Sequence, residues 1–382
     1  MSASLKRNRA ITVNENLLQV DVDTPALLLD LDSLERNISI MAKFARHKKI
    51  GLRPHAKTHK SAEIAKLQMQ AGASGICCAK LSEAEVLAEA GLTAILVTSN
   101  IVGPRKIDRL YRLYARLPQL MVVADSPEIV AAIAARLPAI GRDLCVLVDV
   151  DIGFHRSGVV GVEEACELAK QISQTAGLKF GGIQGYAGHV QNIHGYSERS
   201  LEAQKSAQIL RDIVERLGKT GIACPIVTGG GTGTYEIDAQ LNIYTELQVG
   251  SYVFMDVTYL GIDFLSDAPG QFEPSLYILS QVVSASHRDH VTIDAGSKSM
   301  SFDGPMPIVA APDAGKLEYR LYGDEFGKIG PFQGTRHLEP GDKVLLITPH
   351  CDPTVNLHDY YVCVRKAAIV DRWEIQARGS AC

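Results

Sequence analysis

Between Asp23 and Phe264 the sequence repeats one unit, a short apolar run followed by a stretch with apolar residues at helical spacing. Such alternation restricts a chain more than its composition does, because strands separated by helices lie parallel with right-handed crossovers. The runs fall at residues 25–30, 50–53, 75–78, 94–98, 120–123, 145–150, 180–186 and 226–227, and a strand near 246–249 completes the series. They are apolar throughout, as expected of strands covered on both faces. Leu34, Ile38, Met41 and Phe44 mark one helical face behind a predicted N-cap at Asp32. Ser61 and Ser82 are predicted to cap two more helices, ending near Gly72 and Gly91. The pattern predicts an α/β fold with a (β/α)8 TIM-like barrel over residues 24–264; an open doubly wound sheet is the alternative.

Beyond about Ser266 the texture changes. Helical periodicity gives way to short alternating runs at 276–282, 290–294, 317–321, 343–347, 361–364 and 368–370, with Gly, Pro and Asp between them. This predicts an all-β domain formed by residues 1–23 and 265–382. A chain of 382 residues accommodates both units, and a hydrophobic fraction of 46% supplies their cores. A net charge of −4, with no basic run beyond Lys6, Arg7 and Arg9, argues against nucleic acid as a partner. No apolar run is long enough to span a bilayer, and no secretory signal opens the sequence. The eight cysteines are scattered without a CxxC pair, so neither a zinc ribbon nor a disulfide framework is expected. Free thiols in a reducing cytoplasm are the expectation.

Three stretches carry chemistry. RPHAKTHK, Arg53 to Lys60, stands between a strand and a capped helix, at the rim where a βα barrel keeps its active site. Pro54 keeps Arg53 extended, and in extended chain Arg53, His55 and Lys57 share one face. A lysine buried there is expected to have a depressed pKa and to form a Schiff base; taken alone, the stretch also reads as a polar solvated loop. TGGGTGT, Thr228 to Thr234, directly follows a strand. Consecutive glycines let backbone N–H groups converge on an anion, with threonine hydroxyls as further donors. The stretch is neither a Walker motif nor a dinucleotide fingerprint, and a cofactor phosphate is its natural guest. HCDPT, His350 to Thr354, follows the run at 343–347. In extended chain His350 and Asp352 point one way and Cys351 the other, which makes a two-ligand divalent site completed by water or substrate. His358 and Asp359 are candidates to support those ligands through hydrogen bonds. Arg156, Tyr186, Gly188 and His189 fall at two more strand ends on the same rim.

These motifs, together with GICCAKLSEAE (75–85), DVDIGFHRSGV (149–159), ELQVGSYVFMD (246–256) and HCDPTVNLHD (350–359), resemble the D-threonine aldolase family. Its relatives are the D-3-hydroxyaspartate aldolases and the eukaryotic-type D-serine dehydratases. The resemblance implies an alanine-racemase-like fold, an N-terminal barrel for pyridoxal 5'-phosphate (PLP) with a C-terminal β domain, paired in a homodimer. It implies that Lys57 is the Schiff-base lysine. Gly230, Gly231, Thr232, Gly250, Ser251 and Tyr252 match the phosphate region, and Arg156 matches a residue near the cofactor ring oxygen. Thr228 and Tyr186 complete the candidate cofactor set. His350 and Asp352 match the aldolase metal ligands, for Mn, Mg, Co or Zn. The dehydratase branch has His-x-Cys there, so Asp352 points to cleavage of a D-β-hydroxy-α-amino acid to glycine and an aldehyde. Dehydration to a 2-oxo acid and ammonia is the alternative, and a non-enzymatic PLP-binding protein a more remote one. Some aldolases carry a histidine where this chain has Asn192, and His189 and His194 lie close by; the candidate bases are His189 and His59.

Overall fold

The computed structural model describes residues 13–135, 137, 141–265, 272–333 and 335–382. The basic stretch at Lys6, Arg7 and Arg9 and the textural junction at Ser266 lie outside them. In chain order, the first strands are β1 (Ala26–Asp30), β2 (Gly51–Leu52), β3 (Ile76–Cys78), β4 (Ala94–Val97) and β5 (Gln119–Ala124). Then follow β6 (Leu144–Val150), β7 (Leu178–Gly185), β8 (Ile226–Gly229) and β9 (Glu246–Leu247).

Strands β2 to β9 form one parallel sheet, in the order β2-β9-β8-β7-β6-β5-β4-β3. Its edges meet. The Ser74 N–H donates to the Leu52 carbonyl at 2.7 Å, and the Cys77 N–H donates to that of Pro54 at 2.8 Å. His55 and Cys77 form a further parallel bridge. The sheet thereby curls into the expected barrel. Cys78, Ile95 and Val97 face the surrounding helices, while Cys77, Leu96, Val123 and Leu147 fill the interior. Low in that interior Arg53 pairs with Glu246 through Nε at 2.7 Å and Nη2 at 3.0 Å. Both side chains are buried, and the fork-to-fork geometry satisfies two charges that would be costly alone. Arg53 is therefore part of the barrel core and not of the rim.

The apolar run at 25–30 belongs elsewhere. Strand β1 leaves the barrel and enters a second sheet, completed by β10 (Leu276–Ser284), β11 (Val291–Ile293), β12 (Ile308–Ala311) and β13 (Glu318–Leu321). Its remaining members are β14 (Gly327–Gly330), β15 (Lys343–Ile347), β16 (Tyr360–Arg365) and β17 (Ala368–Glu374). The order is β11-β14-β13-β12-β15-β10-β1-β16-β17, and β10 also pairs with β11, which closes a small antiparallel barrel. β1 runs antiparallel to β10 and parallel to β16. All five β1 side chains are buried, so an all-apolar run was a sound sign of a covered strand but said nothing about which sheet covers it.

Local chemistry sets the helix starts. Asp30 caps helix Leu31–Lys48, accepting from the Asp32 and Ser33 amides, so the cap lies two residues before the predicted Asp32. Ser61 caps helix Ala62–Gln70, as its sequence predicts. Helix Leu81–Glu89 begins at Lys80, not Ser82; Glu83 reaches back to the Ala79 and Lys80 amides at 2.7 and 3.2 Å. The second sheet also grips the barrel rim. The Tyr361 hydroxyl donates to the His59 carbonyl at 2.6 Å, the Ala377 N–H to that of Lys60 at 3.1 Å, and the Ala62 N–H to Gln376 Oε1 at 3.1 Å.

Candidate active site

The carboxyl ends of the barrel strands open into a cavity of about 600 Å³ that runs to the short helix Cys351–Val355 of the second sheet. This volume suits a cofactor with a small substrate. A larger groove of about 830 Å³ lies on the barrel flank near Pro127 and Gln171 and contains none of the candidate cofactor or metal residues. The cavity at the strand ends is where Lys57, His350 and Asp352 meet.

The extended chain after β2 lasts only to His55; Ala56–Thr58 then forms a 3-10 turn. Lys57 projects into the cavity from that turn. The Lys57 amide donates to His55 Nδ1 at 3.3 Å, and His55 Nε2 lies 3.1 Å from Thr98 Oγ1. Since Nδ1 accepts, the ring proton sits on Nε2 and is donated to Thr98, whose own hydroxyl turns to the Cys78 carbonyl. Burial, reinforced by the Lys57 charge, holds His55 well below its ordinary pKa, so the ring is a neutral brace under the lysine. Lys57 Nζ lies 3.6 Å from Asp352 Oδ2 and 5.8 Å from the centre of the Tyr186 ring. Burial works against the Lys57 charge, but Asp352 and Tyr186 outweigh it and raise the pKa. The expected depression is thus overturned, because a carboxylate stands beside the amine.

The glycine run is packed more tightly than an anion cradle alone requires. A Cβ on Gly231 would stand 2.4 Å from Gln191 Oε1, and one on Gly230, at φ +71°, would stand 2.5 Å from Asp238 Oδ2. The Gly231 and Gly233 amides donate inward, to Thr234 Oγ1 and Gln191 Oε1. The Tyr252 amide is used on Thr232 Oγ1. The N–H groups of Thr232, Gly250 and Ser251, three residues that line the cavity, have no hydrogen-bond partner among the described residues. Thr58 Oγ1, buried and also unpartnered, lies close by, 2.6 Å from where a Cβ on Gly250 would sit. These neutral donors converge where an oxyanion fits. Beneath them the barrel floor is polar. Gln248 Nε2 donates to Gln184 Oε1 and Thr228 Oγ1, both at 3.1 Å, and Gln184 Nε2 donates to Asp149 Oδ1 at 2.8 Å.

Asp238 stands behind the glycines, accepting from Thr234 Oγ1 at 2.5 Å. Burial pushes its carboxyl up to about 7. A carboxyl with a raised folded pKa contributes its full share of stability below the unfolded value and loses it as pH rises through the folded one. The window here runs from about pH 4 to about pH 7. Asp238→Asn, neutral throughout, is expected to match the parent near pH 4 and to exceed it at pH 8 by roughly 2–4 kcal/mol. Urea midpoints at the two pH values measure this; an equal difference at both would show that Asp238 does not titrate in that window.

His350 and Asp352 both face the cavity, though not through extended chain. His350 is the N-cap of helix Cys351–Val355, and Asp352 lies in its first turn. Cys351 is fully buried; its amide donates to Asp256 Oδ2 at 2.9 Å, and burial raises its thiol pKa well above the ordinary value. His350 Nδ1 donates to Asp303 Oδ2 at 2.9 Å, leaving Nε2 as the ring nitrogen for a ligand. Burial lowers the His350 pKa, but Asp352 and then Asp303 reverse this and raise it. The supporting carboxylate is thus Asp303 rather than His358 or Asp359. His358 Nε2 contacts the Ser299 carbonyl, and Asp359 pairs with Arg378. Among the described residues no group of three or more His, Cys, Asp or Glu side chains is arranged to hold a metal ion.

Of the other candidates, Arg156, Tyr186, Gly231, Thr232, Gly250 and Ser251 line the cavity. The Arg156 guanidinium lies over Phe154 and Tyr186 at 4.9 and 5.7 Å. Thr228, Gly230 and Tyr252 form the layer behind. Neither candidate histidine base lines the cavity. The His59 ring is buried below the turn, Nδ1 accepting from the Ser61 amide, with its pKa lowered to about 4 by burial. His189 is exposed and stacks on the outer side of Phe154 at 6.0 Å. Sequence reasoning missed Asp303, Gln191, Thr58 and Asp238, because each acts through a tertiary contact that no local spacing signals.

A parallel barrel with a rim lysine facing a neutral anion cradle, joined to a β domain that supplies the opposite wall, defines the alanine-racemase-like class. The alanine racemase N-terminal domain family matches residues 29–257, and a serine dehydratase domain family matches residues 275–364. The chain is 40% identical to a D-threonine aldolase of Arthrobacter sp., over 94% of this chain and 93% of that one. It is 38% identical to a 3-hydroxy-D-aspartate aldolase of Paracoccus denitrificans, with the same coverage. The crystal structure of D-threonine aldolase from Filomicrobium marinum superposes with a TM-score of 0.90 at 35% identity, over 95% of this chain and 97% of that one. The D-threo-3-hydroxyaspartate dehydratase of Delftia sp. HT23 is more distant, at 27% identity and a TM-score of 0.81, over 94% of this chain and 98% of that one. A variant of that dehydratase with one cysteine changed to alanine is described as metal-free. The chain belongs to the D-threonine aldolase and 3-hydroxy-D-aspartate aldolase family.

Proposed function

We propose that this chain is a PLP-dependent, divalent-metal-assisted lyase that cleaves D-β-hydroxy-α-amino acids, of the D-threonine or D-3-hydroxyaspartate type, to glycine and an aldehyde. The observation that carries the reading is the pair His350 and Asp352 facing Lys57 across one cavity, with Cys351 buried away from it. Cys351 does not line the cavity, and its thiol donates to Asp352 Oδ1 at 3.6 Å, which disfavours the dehydratase alternative, since that reading needs the cysteine as a ligand.

The donors fit the cofactor. The free amides of Thr232, Gly250 and Ser251, with the unpartnered Thr58 hydroxyl, suit a phosphate, and Lys57 offers the amine for covalent attachment. PLP supplies an electron sink for the carbanion that C–C cleavage leaves. A divalent cation held by His350 Nε2 and Asp352 supplies Lewis-acid activation of a β-hydroxyl. The chain does the rest. His55 fixes the turn from which Lys57 projects, and Asp303 orients the His350 ring. Lys57 Nζ, 3.6 Å from Asp352, is positioned to take up and return a proton at the reacting end of the cavity. That assigns proton transfer to groups lining the cavity, with His59 and His189 acting from outside it. Arg156 and Tyr186 line the same cavity. The reading includes a homodimer and a cytoplasmic setting, the latter supported by eight free cysteines.

The test is product identification. The protein, supplied with PLP and Mn²⁺, is offered D-threonine and D-3-hydroxyaspartate separately, with an EDTA-treated control. Glycine plus an aldehyde, lost with EDTA, is the expected result. A 2-oxo acid plus ammonia would overturn the aldolase reading.

A further inference from the structure

The backbone of Gly233 is held at both its N–H and its carbonyl. Gln191 Oε1 accepts its N–H at 3.0 Å, and Arg199 Nε donates to its carbonyl at 2.7 Å. A Cβ here would stand 2.1 Å from the Gln191 carbonyl oxygen, so the position admits only glycine. Arg199 does more than hold Gly233. Its Nη1 donates to the carbonyls of Ile193 at 2.6 Å and His194 at 3.0 Å, and its Nη2 donates to that of Asp263. The side chain has no exposed surface and lies between the rings of Tyr196 and Phe264.

A fully buried guanidinium whose hydrogen bonds all go to main-chain carbonyls is an expensive way to fill space. An apolar side chain would pack there at less cost. What the guanidinium adds is a rigid planar fork of five donors, each bond strengthened by the charge. That fork joins three segments, which follow β7, β8 and β9. They bring Asn192, the glycine run and Tyr259 to the cavity wall. The cradle itself contains only neutral donors, and their value to an anion depends on how accurately they converge.

We infer that Arg199 is the positioning residue of the phosphate cradle: it ties the three rim segments together so that the amides of Thr232, Gly250 and Ser251 point at one anion. The inference rests on the PLP reading above. It implies that weakening Arg199 damages the recognition of the phosphate group more than the recognition of the pyridine ring.

The experiment compares PLP with pyridoxal, which has the same ring and aldehyde but no phosphate. Dissociation constants for both are measured by absorbance titration of the parent protein, Arg199→Lys, Arg199→Met and Gln191→Met. The last removes the opposite hold on Gly233 without leaving a buried charge or its cavity, and serves if the Arg199 variants do not fold. In every folded variant the PLP constant is expected to rise about ten- to a hundredfold, with the pyridoxal constant changed by about twofold or less. An equal loss for both aldehydes would show a merely structural role and overturn the inference, as would an unchanged PLP constant. A parent protein that binds neither aldehyde would instead overturn the cofactor reading, and this inference with it.

Discussion

Lys57→Ala is expected to remove the visible absorbance of the bound cofactor and to lower kcat/KM by at least about a thousandfold, equivalent to roughly 4 kcal/mol. The size of the effect follows from what the amine does. In the proposed reaction it is the covalent anchor for an aldehyde, and it is the group 3.6 Å from Asp352 that would exchange a proton. No other lysine of the cavity substitutes, because Lys80 enters from the end of β3 and lacks the His55 brace. Lys57→Arg separates charge from chemistry: it keeps a cation beside Asp352 but cannot form an imine, and it is expected to be as inactive as the alanine variant. Turnover retained in either variant would mean that the lysine is misassigned.

The second large effect is expected at the other wall. Asp352→Asn should leave the cofactor absorbance in place while lowering metal-dependent cleavage by about a hundred- to a thousandfold. The amide keeps the shape of the side chain and removes the charge that a hard divalent cation requires. The same charge stabilises the Lys57 ammonium, so the variant also eases deprotonation of the lysine. Cofactor loading is therefore expected to be no worse than in the parent, and the loss of activity to be confined to the metal-dependent step. Titration with Mn²⁺ at fixed substrate is the measurement. Full activity at saturating Mn²⁺ would show that Asp352 tunes affinity only, and no response of either protein to Mn²⁺ would remove the metal from the reaction.

Much of this architecture was legible before the structure. The barrel strands follow from continuous apolar runs, and the rim position of Lys57 follows from a strand, a proline and a capped helix in sequence. What escaped was pairing at long range. Residues 25–30 have the composition of a barrel strand and the helix that should follow one. Their partners are Leu276 to Leu279 and Val362 to Val364, far along the chain, and nothing local selects them over a barrel neighbour. The same limit applies at the site. Type and spacing single out His350 and Asp352 on the assumption of extended chain; instead a one-turn helix brings both to the cavity, and Asp256 holds the intervening amide inward. The glycine run was read as a row of donors. In the folded protein two of its amides are used inward, on Thr234 and Gln191, and its tight packing against Gln191 and Asp238 explains the composition as much as any ligand does.

The contacts between the second sheet and the turn after Lys57 fix an order of events during synthesis. The barrel strands all lie before residue 250, so that unit can collapse while the rest of the chain is still being made. Strand β1, made first, must wait for both of its neighbours, the later of which begins at Tyr360. The His59 carbonyl waits for a hydroxyl 302 residues downstream, and the Lys60 carbonyl for Ala377. The turn that bears Lys57 is thus made early and is among the last segments to be fastened. A nascent chain halted after the barrel would display the amine without its clamp, and without the carboxylate that faces it.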